Sequence, residues 1–326
     1  MINMESNLLN YLKIIDQSII DYPFPNHPEN LYAPMRYILN LGGKRIRPVL
    51  TLMGCELFNT EYSDAKDAAL AIEFFHNFSL IHDDIMDAAP LRRGEPTVHT
   101  KWNSNNAILS GDALLVEAYK LLVKYEPKLS HQLLRDFNKT ASEVCEGKQL
   151  DMNFENEKFI KIDEYIEMIR LKTAVLLGCS LKIGAIIGGA NNIESEKLYS
   201  FGVNLGIAFQ LQDDLLDLYG NPEKVGKQIG GDVLLNKKTF LLLSAFEGGN
   251  QNQKEELHKL INEVNVELKI SRTKEIFSQL KIQEKTNEKI KEYYTASLLN
   301  LDQLNCASTK KIHLQNLADY LIQREH

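Results

Sequence analysis

Three observations make this an all-α protein. Almost every long segment carries apolar residues at the 3.6-residue period of an amphipathic helix. The Val, Ile and Thr alternation that marks strands is absent. The two densest acidic clusters, Ser-Leu-Ile-His-Asp-Asp-Ile-Met-Asp at residues 79–87 and Gln-Leu-Gln-Asp-Asp-Leu-Leu-Asp-Leu at residues 210–218, both sit inside long helical runs flanked by Leu, Ile and Phe. A chain of 326 residues, 44% hydrophobic and 25% charged, has ample material for a large core. No composition shift divides it, so one domain over 1–326 is expected.

The first amphipathic helix spans 5–20 and stops at residues 21–28, where three prolines remove donors and fix φ. A second runs over 31–41 and ends at Gly42 and Gly43. The basic run Gly-Gly-Lys-Arg-Ile-Arg-Pro at 42–48 then feeds a helix through Pro48, a residue suited to a first turn. Helix 65–87 carries the first acidic cluster and ends in a turn at Pro90 and Gly94. Helices follow over 105–126, 130–152, 159–189 and 195–219, the last carrying the second cluster. Residues 220–232 form a glycine-rich loop, and the polar remainder keeps a helical period over 254–268, 271–302 and 308–323, with an exposed loop at 248–252.

The clusters share the pattern Asp-Asp-x-x-Asp, so Asp83 and Asp87 stack on one helix face, as do Asp213 and Asp217, with Asp84 and Asp214 beside them. Like charges at that spacing destabilise a helix, and a buried unpaired carboxylate costs several kcal/mol more. Magnesium suits such a ridge, because it takes one or two carboxylates and completes its octahedron with water and phosphate oxygens. Lys44, Arg45 and Arg47 form an anion grip on a turn whose glycines allow close approach. Arg92 and Arg93, just past the first cluster, either pair with its acids or take phosphate charge. Lys172 and Thr173 lie mid-way along an apolar helix, where a lysine is either a snorkelling stem or a functional group. Lys227 and either Lys237 or Lys238 belong to a flap able to fold over a bound diphosphate.

A net charge of −7 argues against a general nucleic-acid binder. Cys55, Cys145, Cys179 and Cys306 have neither disulfide-framework nor zinc-ligand spacing, which fits a reducing cytoplasm. The first 20 residues lack a signal-peptide shape, and the apolar run 174–190, broken by Lys182 and glycines, falls short of a transmembrane span. The expectation is a soluble cytoplasmic protein.

Taken together, the two DDxxD clusters, the GGKRIRP run, Arg92-Arg93-Gly94 and the lysine-bearing loop after the second cluster resemble the trans-isoprenyl diphosphate synthases from Gly42 to Thr239. The resemblance implies a single bundle of long antiparallel helices around a deep cavity, working as a homodimer. It implies metal ligation by Asp83, Asp87 and Asp213, with Asp84, Asp214 and Asp217 as neighbours acting through water, and three Mg2+ ions per site for which Mn2+ can substitute. Isopentenyl diphosphate falls to Lys44, Arg47, His76 and Arg93. The allylic diphosphate falls to Arg92, Lys172, Thr173, Gln210, Lys227 and Lys237. The implied catalytic set is Asp83, Asp84, Asp87, Arg92, Arg93, Lys172, Asp213, Asp214 and Lys227. Two departures stand out: Gly147-Lys148-Gln149 replaces the family's Gly-Gln and leaves the contacts of Asp151 open, and nothing beyond Lys238 matches a family motif.

The implied reaction is ionisation of the allylic diphosphate, attack by the double bond of isopentenyl diphosphate and loss of a proton to the released diphosphate. Stabilisation of the departing charge is its dominant electrostatic need. A terpene cyclase would carry one Asp-rich motif beside an Asn/Ser/Glu motif and would not need GGKRIRP, and a non-catalytic partner subunit normally loses one acidic motif. A long-chain synthase shares every motif and differs in cavity depth. Phe78 lies about 7.5 Å up the helix axis from Asp83, with the small Ser79 beside it. An aromatic there is by position core packing, but the short-chain synthases that the chain resembles place bulk just upstream of the first motif. With the plain spacing of that motif, the resemblance favours geranylgeranyl diphosphate as product, with farnesyl diphosphate second. Phe78→Ala is therefore expected to lengthen the product in a radiolabelled chain-length assay, and an unaltered spectrum would remove Phe78 from chain-length control.

Overall fold

A computed structural model describes residues 2–58, 61–220 and 230–323. The described chain is almost wholly helical, as the periodicity predicts, and its contacts group it into two compact units. Unit 1 comprises Met1–Lys139, Cys179–Leu198 and Asn305–Lys311; unit 2 comprises Thr140–Gly178, Tyr199–Leu304 and Ile312–His326.

Unit 1 begins with α1 (Ile2–Ile20), which buries Tyr11, Ile15 and Ile19 at a spacing of four. Then come α2 (Glu29–Asn40), α3 (Ile46–Glu56), a single 3₁₀ turn (Tyr62–Ala65) and α4 (Lys66–Met86). Every residue of α3 from Pro48 to Cys55 is buried, so it is enclosed on all sides. One neighbour approaches it through glycine. A Cβ at Gly184 would lie 2.9 Å from the Thr51 carbonyl carbon and 3.0 Å from Cys55 N. Beyond α4, a two-residue ribbon pairs β1 (Leu91–Arg92) with β2 (Glu95–Pro96), the only strands among the described residues. The absence of strand alternation could not reveal it, because its turn, Arg93 (φ 56°) and Gly94 (φ 82°), is the tight hairpin kind that needs positive φ at both positions. Helices α5 (Val98–Lys101), α6 (Ser104–Leu122) and α7 (Pro127–Asn156) follow, α7 continuing into unit 2.

Unit 2 contains α8 (Ile162–Ile169), a π-helical turn (Arg170–Ala174), the start of α9 (Val175–Ile187) and most of α10 (Asn192–Tyr219). The expected helix 159–189 thus starts at Ile162, and its middle carries a π turn at Lys172 and Thr173. Then come α11 (Gly231–Leu234), α12 (Phe240–Gly248), α13 (Gln251–Ile261), α14 (Val266–Gln279), α15 (Ile282–Asp302) and, from Ile312 onward, α16 (Ser308–Gln323). Their core joins Met168, Leu211, Leu215, Phe240, Ile276 and Phe277.

Two expected helices are divided. The period read over 254–268 breaks after Ile261, because Asn265 accepts from Leu268 N at 3.0 Å and caps a new helix. The period read over 271–302 breaks at Lys281, which takes the left-handed conformation (φ 55°). Among the described residues no helix is long and apolar enough to cross a membrane.

Candidate active site

In unit 1 the first acidic motif occupies the C-terminal turn of α4, with Asp87 as its C-cap. That is the negative end of the helix dipole, so three carboxylates there repel both one another and the final carbonyls. The chain answers with the ribbon. Arg92 Nε and Nη2 donate to Asp84 Oδ2 and Oδ1 at 2.8 and 2.7 Å, a bidentate pair on a carboxylate that is only 2% exposed. Of the two roles open to Arg92 in the sequence, the structure shows the salt bridge. Asp83 is partly exposed and Asp87 exposed.

The same ribbon carries Arg93 back to the glycine turn, where its guanidinium donates to the Gly42 carbonyl. A Cβ at Gly43 would sit 2.7 Å from Arg93 Nη2, so the second glycine of the pair is what admits this side chain. Arg47 Nη1 lies 3.3 Å from His76 Nε2. Burial, then Arg47, Arg93, Arg92 and Arg45 in turn, hold His76 well below its ordinary imidazole range, so the neutral ring accepts a hydrogen bond from Arg47. Lys44 is exposed.

Arg45 is a correction to the expected anion grip. Its side chain is turned inward, 5% exposed, bonding Glu73 Oε1 at 2.6 Å, the Leu39 carbonyl at 2.5 Å and Asp16 Oδ1 at 3.2 Å. Asn77 Nδ2 adds a second bond to Glu73 at 2.9 Å. Phe78 is partly buried in an aromatic chain, its ring 5.6 Å from Phe75 and 4.7 Å from His82, and Ser79 Oγ donates to the His76 carbonyl.

In unit 2 the second acidic motif occupies the last turns of α10. Asp214 is 5% exposed and accepts from Tyr165 Oη and from Gln210 Nε2 at 3.2 Å. Burial pushes its acid up to about 8; the Tyr165 and Gln210 bonds work against that rise, while Asp232 and Asp213 add to it. Thr173 Oγ1 donates to Gln210 Oε1 at 3.3 Å. Lys172 pairs with Asp151 at 2.6 Å, the contact of that acid which the sequence leaves open. Asp217 Oδ2 accepts from Asp232 N at 3.0 Å, and Lys237 pairs with Asp232 Oδ1 at 3.0 Å. Burial opposes the Lys237 charge, but Asp232, Asp151 and Asp217 outweigh it and hold the ammonium above its usual value. Lys238 turns away to the Phe154 and Glu155 carbonyls at the end of α7, so Lys237 is the lysine that stays with the acids. Lys227 lies outside the described residues.

Among the described residues no three His, Cys, Asp or Glu side chains close into a metal cage. The donor chemistry nonetheless fits a hard divalent cation, which needs only one or two carboxylates and leaves its other positions to water and phosphate. Asp84 and Asp214, the buried members, are engaged by Arg92 and by Tyr165 with Gln210.

The profile of the polyprenyl synthetases matches residues 28–280, more than half of the chain. The chain belongs to the polyprenyl synthetase family. It is 38% identical over 325 residues to the geranylgeranyl pyrophosphate synthase of Geoglobus acetivorans, covering 96% of this chain and 97% of that one. It is 32% identical over 342 residues to the geranylfarnesyl diphosphate synthase of Natronomonas pharaonis, covering 99% and 98%. The crystal structure of geranylgeranyl pyrophosphate synthetase from Pyrococcus horikoshii Ot3 superposes with a TM-score of 0.93 at 34% identity, covering 99% of both chains.

For this polyprenyl synthetase, sequence reasoning missed the residues that hold the motif residues in place. Tyr165 and Glu73 lie in no motif and are marked only as polar residues on otherwise buried helix faces, while Asp232 ends the glycine-rich loop with no role read for it. The histidine yields a pH prediction. Because His76 is depressed in the fold below the 6.5 of the free side chain, the unfolded chain takes up the extra proton, and stability falls as pH drops through that value. Replacing it by glutamine removes this titration. Between about pH 7.5 and 5.5 the wild type is expected to lose roughly 1 kcal/mol more than His76→Gln in urea unfolding. Equal losses would show that the ring charges freely in the folded chain.

Proposed function

We infer that the chain is a short-chain trans-prenyltransferase that condenses isopentenyl diphosphate with dimethylallyl, geranyl or farnesyl diphosphate head to tail, geranylgeranyl diphosphate being the favoured product. One observation carries the reading. Joining two diphosphates needs two anion sites, and unit 1 holds, apart from the acidic motif, a basic cluster of Arg93 on Gly42 and Arg47 on a neutral His76. A terpene cyclase, which takes one diphosphate, has no use for it. Product length is supported by relatives whose names span geranylgeranyl and geranylfarnesyl products and by Phe78 in its aromatic chain. Farnesyl diphosphate or a longer polyprenyl diphosphate is the alternative product.

Asp83, Asp87 and Asp213, backed by Asp84, Asp214 and Asp217, would hold the Mg2+ ions, three per site. Bound there, the metal neutralises charge on the departing diphosphate. Arg92, Lys172, Gln210, Thr173, Lys227 and Lys237 hold the allylic diphosphate, Arg92 and Lys172 exchanging their carboxylate partners for phosphate oxygens. Lys44, Arg47, His76 and Arg93 orient isopentenyl diphosphate so that its double bond meets the allylic carbon. The exposed thiol of Cys145 suits a reducing cytoplasm.

The working unit is a homodimer, and α6 supports this. Leu109, Val116 and Val123 are 59%, 52% and 56% exposed, an apolar stripe recurring every seven residues along and just past that helix. A seven-residue period is what a second helix packs against. Val116→Glu is expected to shift the chain from dimer to monomer in light scattering after gel filtration; a dimer that survives would place the interface elsewhere.

The activity is tested by incubating the purified chain with isopentenyl diphosphate, each allylic diphosphate and magnesium, then sizing the products. Elongation to a C20 diphosphate is expected, with Asp83→Asn and Asp213→Asn each lowering kcat by about a hundredfold or more. A chain that consumes the allylic diphosphate alone, or neither substrate, overturns the reading.

A further inference from the structure

The region beyond Lys238, which the family profile matches as far as residue 280, carries neither an acidic motif nor a basic run, yet it contains a buried cation. On α14 the core-facing stripe is Lys269, Thr273, Ile276 and Phe277, and Lys269 is 5% exposed. An ammonium on such a stripe is unfavourable unless its donors are met. Here Lys269 Nζ reaches Asn236 Oδ1 at 2.8 Å, the Ile261 carbonyl at 3.3 Å and the Leu234 carbonyl at 3.4 Å. Leu234 and Ile261 end α11 and α13, where carbonyls lack partners within the helix.

The contact that matters is Asn236. It takes a left-handed conformation (φ 56°), which asparagine tolerates better than most non-glycine residues. Its side chain is fixed at both ends, accepting from Lys269 and donating to the Ile261 carbonyl at 3.2 Å. The next residue is Lys237, whose backbone N donates to the Asp232 carbonyl at 2.9 Å and whose ammonium meets Asp232 Oδ1 at 3.0 Å. Asp232 N in turn donates to Asp217 Oδ2 at 3.0 Å. An unbroken series of contacts therefore runs from α14 through the Asn236 turn to Lys237 and the second acidic motif. A leucine at 269 would fill the space, but it would remove the contact that holds Asn236 Oδ1.

We propose that Lys269 is a positioning residue for the allylic diphosphate, aiming Lys237 by locking the Asn236 turn. The inference rests on the reading that Lys237 holds that diphosphate.

The test uses the full chain with magnesium, isopentenyl diphosphate and geranyl diphosphate in steady-state kinetics, with thermal unfolding alongside. Lys269→Met keeps the length of the side chain and removes the ammonium. Asn236→Gly keeps the fold even if the first variant fails to fold, since glycine accepts positive φ, and it removes the locked side chain. Lys237→Ala is the control. Both positioning variants are expected to raise KM for geranyl diphosphate roughly tenfold while KM for isopentenyl diphosphate stays within about twofold. If Lys237→Ala raises KM for geranyl diphosphate and Asn236→Gly does not, the positioning inference is overturned and the function of Lys237 stands. If Lys237→Ala changes neither KM, the assignment of Lys237 fails and the inference fails with it. Equal loss toward both substrates would reduce Lys269 to a structural cap and overturn it as well.

Discussion

The constraint on which the rest depends is repulsion among carboxylates at the C-terminal ends of two helices. Asp83, Asp84 and Asp87 close α4, and Asp213, Asp214 and Asp217 lie in the last turns of α10. Each triplet adds like-charge spacing to an end that already carries the negative pole of the helix. In each, the second aspartate is drawn inward and given its own partner, Arg92 for Asp84 and the Tyr165–Gln210 pair for Asp214. This anchors the ridge and leaves a surplus of negative charge on its outer members. A divalent ion and an anionic guest are what that surplus can bind, so the instability of the bare motif and its affinity have one origin.

The basic side of unit 1 shows the opposite imbalance. Arg47 and Arg93 converge near His76, which burial first and then these cations hold neutral, while Arg45 has been withdrawn into a buried pair with Glu73. Cations gathered in this way repel one another until an anion arrives. Glycine does the geometric work, because only without a Cβ at 43 can the Arg93 guanidinium lie along the turn. Arg45 then acts as a fastening, joining α1, the end of α2 and α4 through Asp16, Leu39 and Glu73.

Helices were legible in the sequence wherever one face is apolar, since a 3.6-residue period survives without tertiary knowledge. The breaks at 262–265 and at Lys281 were not, because a run of polar residues reads as helical until a cap or a left-handed residue ends it. Motif aspartates were legible for the same reason that they are unstable alone. Arg45 was misread because composition reports charge and not direction, and three cations in four residues look equivalent until the backbone turns one inward. Lys237 and Lys238 differ only in which way the chain points them, one to Asp232 and one to the end of α7. Tyr165 and Asp232 were invisible, since their partners come from elements distant in sequence or from a loop with no period.

Backbone strain completes this account. Non-glycine residues with positive φ among those described are Arg45, Ala88, Arg93, Asn236 and Lys281. The first four flank or carry the groups assigned to anions and metals: Arg45 lies between Lys44 and Arg47, Ala88 follows Asp87, Arg93 faces Gly42, and Asn236 precedes Lys237. Each such residue is unfavourable by roughly 1–3 kcal/mol on its own and persists only where its neighbours hold it. Those neighbours are Glu73 for Arg45, the Gly42 carbonyl for Arg93 and Lys269 for Asn236. The buried polar contacts outside the motifs therefore hold the strained backbone beside the motif side chains in place.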